Sequence, residues 1–211
     1  MSQSMPIRRI AIIGTGVIGA SWTALFLARG LQVVATDVAP NAEASLRKFV
    51  ETAWPALMRL GLSSGASQSN LTFTAALAQA VDGVGLVQEN GPERVEFKQK
   101  LYGQLDELLP PEVIIASSSS GLTMSEIQKG AASHPERCVI AHPFNPPHLI
   151  PLVEIVGGAK TSEATTFAQR NFTRRSGSGR CASTRRCRAT SPTACRPRWR
   201  ARSTILSPRV W

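Results

Sequence analysis

The stretch that most constrains this chain is Arg9-Ile10-Ala11-Ile12-Ile13-Gly14-Thr15-Gly16-Val17-Ile18-Gly19, answered by Val33-Val34-Ala35-Thr36-Asp37. Residues 10–13 are an apolar, largely β-branched run of the kind that fills a buried parallel strand. Gly14, Gly16 and Gly19 then interrupt it, and Ala20 to Arg29 reads as a helix stopped by Gly30. Gln32 to Thr36 reads as a second strand with Asp37 at its end, 23 positions after Gly14. Strand, glycine turn, helix, strand and acid in this order form the fingerprint of a dinucleotide-binding unit.

Each residue type has a physical task in such a unit. Gly14 permits the tight turn, Gly16 lets a pyrophosphate approach the backbone, and Gly19 lets the helix pack on the strand. The helix N-terminus, with Val17 and Ile18 in the turn before it, offers N–H groups and a positive dipole end to phosphates. Asp37 is placed to accept hydrogen bonds from the adenosine ribose and to repel a 2′-phosphate, so NAD is expected over NADP. The bland alternative is a glycine-rich turn that holds nothing. The two strands and the acid around the turn argue against it.

Strands and helices alternate onward from Asp37. Helical spacing runs from Asn41 to Leu60, and a polar loop follows from Ser63 to Asn70. Leu71 to Phe73 reads as a short strand and Ala75 to Val81 as a small helix. Gly85 to Glu89 is the next buried strand, and Glu93 to Leu108 an amphipathic helix with Val95, Leu101, Leu105 and Leu108 on one face. Val113 to Ala116 is a strand ending in the run Ser117 to Ser120, Met124 to Ala131 a helix, and Cys138 to Ala141 a strand entering His142. The expected fold is α/β, a Rossmann-like doubly wound parallel sheet. Ligands of such sheets sit at the carboxyl ends of strands, where Asp37, Glu89-Asn90, Ser117 to Ser120 and His142 fall.

His142-Pro143-Phe144-Asn145-Pro146-Pro147 leads into Leu152-Val153-Glu154-Ile155-Val156. Hydride transfer from a secondary alcohol needs a base for the hydroxyl proton, and histidine suits that task near neutral pH. A nearby carboxylate would orient the ring and stabilise the imidazolium. Glu154 lies in an apolar run that gives it no reason to be there unless it is paired. Residue chemistry alone leaves open a turn histidine and a strand glutamate facing solvent.

On these residues the chain resembles the NAD-binding domain of the 3-hydroxyacyl-CoA dehydrogenase family over roughly residues 6–165. The most specific piece is the His-x-Phe-Asn-Pro turn with a glutamate twelve residues on. The resemblance implies that His142 is the catalytic base, Glu154 its orienting acid, and Ser120 a hydrogen-bond partner of the substrate oxygen. It places Glu89 near the nicotinamide, and Ser118 where many acyl-CoA members carry asparagine. Trp22, Val87-Gln88-Glu89, the serine run and His142-Pro143-Phe144-Asn145-Pro146-Pro147 resemble the branch that oxidises small free 3-hydroxy acids, carnitine- or gulonate-like, rather than CoA thioesters. NAD is then the cofactor, a hydroxy acid or acyl-CoA the small-molecule partner, and a homodimer the assembly of the intact family.

Charge divides the chain in two. Residues 166–211 carry 12 of the 24 basic residues, all arginine, and none of the 14 acidic ones. Cys181, Cys187 and Cys195 lie there without a histidine, in no zinc-binding pattern. A nucleic-acid-binding arm and a disordered tail are two readings of such text. A third explains more. With suitable synonymous codons, Thr184 to Thr204 read from the third base spells KEVPGHIANRLQAALAREIN. That string holds the Pro-Gly-x-x-x-Asn-Arg motif with which the family opens its all-helical second domain.

Residues 1–165 are therefore expected to form an NAD-binding domain, and 166–211 to be a frameshifted, arginine-rich, disordered tail replacing the helical domain, without nucleic acid as partner. The chain as written is expected to lack turnover, and binding of NAD without chemistry is the alternative function. No run is long enough to span a membrane, and the first strand leaves no room for a signal peptide, so the expected compartment is the cytoplasm.

Overall fold

The computed structural model describes residues 7–176 and the backbone of 180–183. The expectations for the remaining tail, including the displaced reading of residues 184–204, lie outside the described residues. The chain runs β1 (Arg9–Ile13), α1 (Val17–Ala28), β2 (Gln32–Thr36), α2 (Ala42–Leu60), β3 (Leu71–Phe73), α3 (Leu77–Val81), β4 (Leu86–Glu89) and α4 (Val95–Leu108). It continues with β5 (Ile114–Ser117), α5 (Met124–Ile127), β6 (Cys138–Pro143), β7 (Leu152–Gly157), α6 (Glu163–Arg175) and β8 (Arg180–Ser183).

The sheet order is β3-β2-β1-β4-β5-β6-β7-β8. The first six strands are mutually parallel, as the alternation of strand and helix requires. β7 departs from the all-parallel expectation and pairs antiparallel with β6. Residues 144–151 are too few for a crossover helix, so the chain can only turn back along the same edge. β8 then lies parallel to β7.

Side chains alternate between two apolar layers, as the two-residue period of a strand dictates. Ile10, Ile12, Val33, Ala35, Val139, Ala141, Val153 and Ile155 face a core with α1 and α2. Ala11, Ile13, Val87, Ile115 and Ile140 face a second core with α4 and α5. Helix α1 is buried from Gly19 to Ala28, because the sheet lies on one side and α2 on another. The buried face of α4 is Lys98, Leu101, Tyr102, Leu105 and Asp106, whereas Leu108, expected inside, is exposed. Lys98 takes a core position because a buried carboxylate, Glu89, awaits it.

α6 crosses residue 165, where the composition changes. Ser162 caps its start, with its hydroxyl accepting from the Thr165 amide, and Arg174 and Arg175 sit in its last turn, favourable for the helix dipole. Its buried positions are Thr165, Gln169 and Thr173, while Phe167 is 63% exposed. Phe172 alone of its aromatic pair reaches the core, 5.7 Å from the Phe26 ring.

Candidate active site

The glycine turn closes at the carboxyl end of β1. Gly14 has φ +83°, and a Cβ there would lie 2.8 Å from the Asn90 carbonyl oxygen. At Gly19 a Cβ would fall 1.9 Å from the Gly14 carbonyl oxygen, so the first turn of α1 rests on backbone. A Cβ at Gly16 would meet nothing within 4 Å. That gap lies at the helix start, where Gly16 caps α1 without a side-chain bond and the first intrahelical bond runs from Ala20 N to Gly16 O. The arrangement fits a pyrophosphate held by the amides that follow Gly16.

Asp37 stands at the end of β2 and is tied to this turn. Its Oδ2 accepts from the Thr15 amide at 2.6 Å and the Thr15 hydroxyl at 2.9 Å, and its Oδ1 from the Ala39 amide at 2.9 Å. Burial pushes its pKa up, but bonds from Thr15, Ala39 and Val38 outweigh burial and hold it below 3.8. The carboxylate is thus ionised and fixed beside the glycine turn. Val38 beside it is almost fully exposed and offers no cation.

A cleft of about 360 Å³ opens at the ends of β5 and β6, lined by Ile18, Ser118, Ser120, His142, Pro143, Phe144 and Asn145. It joins the glycine helix, through Ile18, to the expected base and to two of the expected serines. Glu154 lies behind His142 on β7, its Oε2 3.3 Å from His142 Nδ1, and both side chains are about 30% exposed. Nδ1 is thereby engaged, and Nε2 is the nitrogen left for the cleft. The Asn145–Pro146 peptide is cis. The loop that follows is anchored to α1, with His148 Nδ1 2.6 Å from Ser21 Oγ.

Glu89 is placed differently from the other expected residues. It is fully buried, bonded by Lys98 Nζ at 2.7 and 2.8 Å, by the Ser117 hydroxyl at 2.6 Å and by the Gly91 amide at 2.6 Å. It fixes the turn after β4 and presents no free oxygen to the cleft. Ser118 lines the cleft, yet its hydroxyl is engaged with Trp22, Gln88 and Asn90.

Two residues of the site were missed from sequence. Glu93 Oε1 accepts from the Ser119 hydroxyl at 2.6 Å and from the amides of Ser120, Gly121 and Leu122 at 3.0, 2.7 and 3.1 Å. It clamps the turn that carries Ser120. Burial raises its pKa, but these bonds and Lys98 outweigh burial and hold it below 4.5. Lys98 is the other, and its signal was present, since a lysine among Leu101, Tyr102 and Leu105 on one helical face calls for a buried partner.

Residues 9–181 match the family described as 3-hydroxyacyl-CoA dehydrogenase, NAD binding domain. The L-carnitine dehydrogenase of Streptomyces coelicolor is 53% identical over 164 residues, which are 78% of this chain and 51% of that protein. That of Pseudomonas aeruginosa is 48% identical over 173 residues, 82% of this chain and 54% of that protein. Among solved structures, an NAD⁺-dependent dismutase, 5-formyl-3-hydroxy-2-methylpyridine 4-carboxylic acid 5-dehydrogenase, superposes with a TM-score of 0.78 at 38% identity. The match covers 86% of this chain and 59% of that one. The 3-hydroxybutyryl-CoA dehydrogenase of Escherichia coli shares the fold, with a TM-score of 0.77 at 24% identity over 86% of this chain and 39% of that one. The chain spans about half the length of the curated relatives it matches. Among the described residues, no helix is long and apolar enough to cross a membrane.

Proposed function

Because this chain belongs to the 3-hydroxyacyl-CoA dehydrogenase family through its NAD-binding domain, we propose that its cleft serves oxidation of the 3-hydroxyl of a small free hydroxy acid, carnitine- or gulonate-like. The observation that carries this reading is His142, backed by Glu154, lining the same cleft as Ile18 and Ser120. The bound nicotinamide would supply the hydride acceptor. His142 Nε2 accepts the proton of the substrate hydroxyl, and Glu154 orients the ring through Nδ1 and offsets its charge. Ser120, held in place by Glu93, donates or accepts at the substrate oxygen. Asp37 and the amides after Gly16 hold the adenosine and pyrophosphate of NAD. The match to proteins named L-carnitine dehydrogenase supports a free acid over a CoA thioester as the substrate of this chain.

The proposal has a second part, on the text after about residue 165. We read it as a displaced frame of the helical domain, which in the intact family completes the cleft and forms the homodimer. The inverted faces of α6, with Thr165, Gln169 and Thr173 inside and Phe167 outside, support this. An evolved helix puts its apolar stripe on the core.

Two chains test both parts. One is the 211-residue chain, and the other is re-encoded at full length, in the frame that restores Pro-Gly-x-x-x-Asn-Arg and with the rest of the helical domain. The first should bind NADH more tightly than NADPH and turn over nothing, and Asp37→Ala should narrow that preference. The second should oxidise L-carnitine, L-gulonate or 3-hydroxybutyryl-CoA with NAD. Equal affinity for both cofactors would remove Asp37 from the role given it. Turnover by the first chain would overturn the frame reading, and silence of the second would leave a cofactor-holding module.

A further inference from the structure

Trp22 is buried at 2% exposure in α1, yet its only polar atom is aimed at the cleft wall. Its Nε1 donates to Ser118 Oγ at 3.2 Å. The same oxygen accepts from Gln88 Nε2 at 2.9 Å and donates to Asn90 Oδ1 at 2.7 Å. A serine hydroxyl has one hydrogen to give and two lone pairs to receive with. All three are used, so Ser118 has no bond left for a ligand.

The direction of each bond is fixed by its neighbours. Asn90 Nδ2 faces two carbonyls, Ile13 O at 3.3 Å and Gln88 O at 3.0 Å, which forces Oδ1 toward Ser118. Indole can only donate. Trp22 itself is held by a stacked Phe26, 5.1 Å between centroids and 20° between planes. The network therefore joins the cofactor helix to the ends of β4 and β5 and locks one Ser118 rotamer.

We propose that Trp22 is a positioning residue, which through Ser118 fixes the wall of the cleft at its nicotinamide end. This rests on the NAD reading above. Ser118 then meets the cofactor by shape, as a pinned wall rather than as a hydrogen-bond partner. Asn90 keeps its bonds to Ile13 and Gln88 when Trp22 is removed, so the glycine turn and the adenosine end are untouched. The two ends of the cofactor should respond differently to the loss of Trp22.

The experiment titrates the 211-residue chain with NADH, and with ADP-ribose, which lacks the nicotinamide. The variants are Trp22→Phe, Ser118→Ala and both together, with melting temperatures as a control. Trp22→Phe and Ser118→Ala should each weaken NADH about three- to tenfold, the size of one hydrogen bond. The double variant should be no weaker than Ser118→Ala alone, since both remove one coupled network. ADP-ribose should stay within about twofold throughout. NADH affinity unchanged in Trp22→Phe, multiplied losses in the double variant, or a parallel fall in ADP-ribose would each overturn the proposal. If Trp22→Phe does not fold, Ser118→Ala decides the matter alone by the same split between NADH and ADP-ribose. A native chain that binds ADP-ribose and NADH equally overturns this inference only, whereas one that binds neither overturns the cofactor reading as well.

Discussion

His142 and Glu154 are direct partners across the antiparallel β6–β7 ladder, with imidazole Nδ1 3.3 Å from carboxylate Oε2. The twelve positions from one to the other amount to one turn of the chain, because β7 comes straight back along β6. The ladder sets the distance between imidazole and carboxylate. Such a contact is long for a charge-assisted bond, as is common before substrate arrives.

In the re-encoded chain, His142→Ala should lower turnover about 10²- to 10⁴-fold while NADH affinity stays near normal. Glu154→Gln should lower it less, through lost orientation of the ring. Steady-state rates beside NADH titration check this, and near-full activity of His142→Ala would send the search for the base elsewhere.

Gly16→Ala and Gly19→Ala should part company. The Cβ at 16 enters open space, so melting should be little changed while NADH binding falls, because the methyl takes the room of the pyrophosphate. The Cβ at 19 meets the Gly14 carbonyl at 1.9 Å, so the turn must move and both stability and binding should fall. Thermal melts and NADH titration of the two variants separate these outcomes.

Glu89 and Lys98 form a buried ion pair with side chains at most 1% exposed. Lys98→Met alone should cost about 3–5 kcal/mol of stability by leaving a buried carboxylate without its cation. Adding Glu89→Gln should restore part of that loss. Urea denaturation of the single and double variants measures it, and a harmless Lys98→Met would contradict the pairing.

Asp37, Glu93 and Asp106 all sit below their ordinary carboxylate values of 3.8, 4.5 and 3.8. For each, burial raises the pKa, and hydrogen bonds, joined at Asp106 by the charge of Arg137 and at Glu93 by that of Lys98, more than reverse it. A carboxylate with a depressed folded pKa stabilises fully above its unfolded value, and that stability is lost as pH falls through the folded one. Urea midpoints should hold from pH 7 down to about 5 and then drop. Asp106→Asn should make the acid drop shallower, and an unaltered slope would deny Asp106 its share.

Most of the sheet was legible in the sequence because parallel strands buried on both faces leave unbroken apolar runs, as at Ile10–Ile13 and Val113–Ala116. The glycine turn, Asp37 and His142 could be placed because each ends a strand. Glu89 reads as a strand-end acid in sequence. In the fold its oxygens are spent on Lys98, Ser117 and Gly91, which no local sequence pattern announces. Glu93 was hidden because its partners are backbone amides of residues 120–122, which carry no sequence signature. The direction of β7 was hidden because it depends on the length of residues 144–151, not on their composition.

The polar underside of α6 bears on which part of the molecule opens first. Threonine and glutamine side chains laid on a sheet gain little from leaving water, and of the two phenylalanines in the helix Phe172 alone packs on the core. Its amides should exchange with deuterium long before those of α1, which is apolar and enclosed. When α6 lifts, β6 and β7 lose cover on one face, and these are the strands that carry His142 and Glu154. Among the described residues, the register of His142 against Glu154 would thus last only as long as the helix that packs worst stays down.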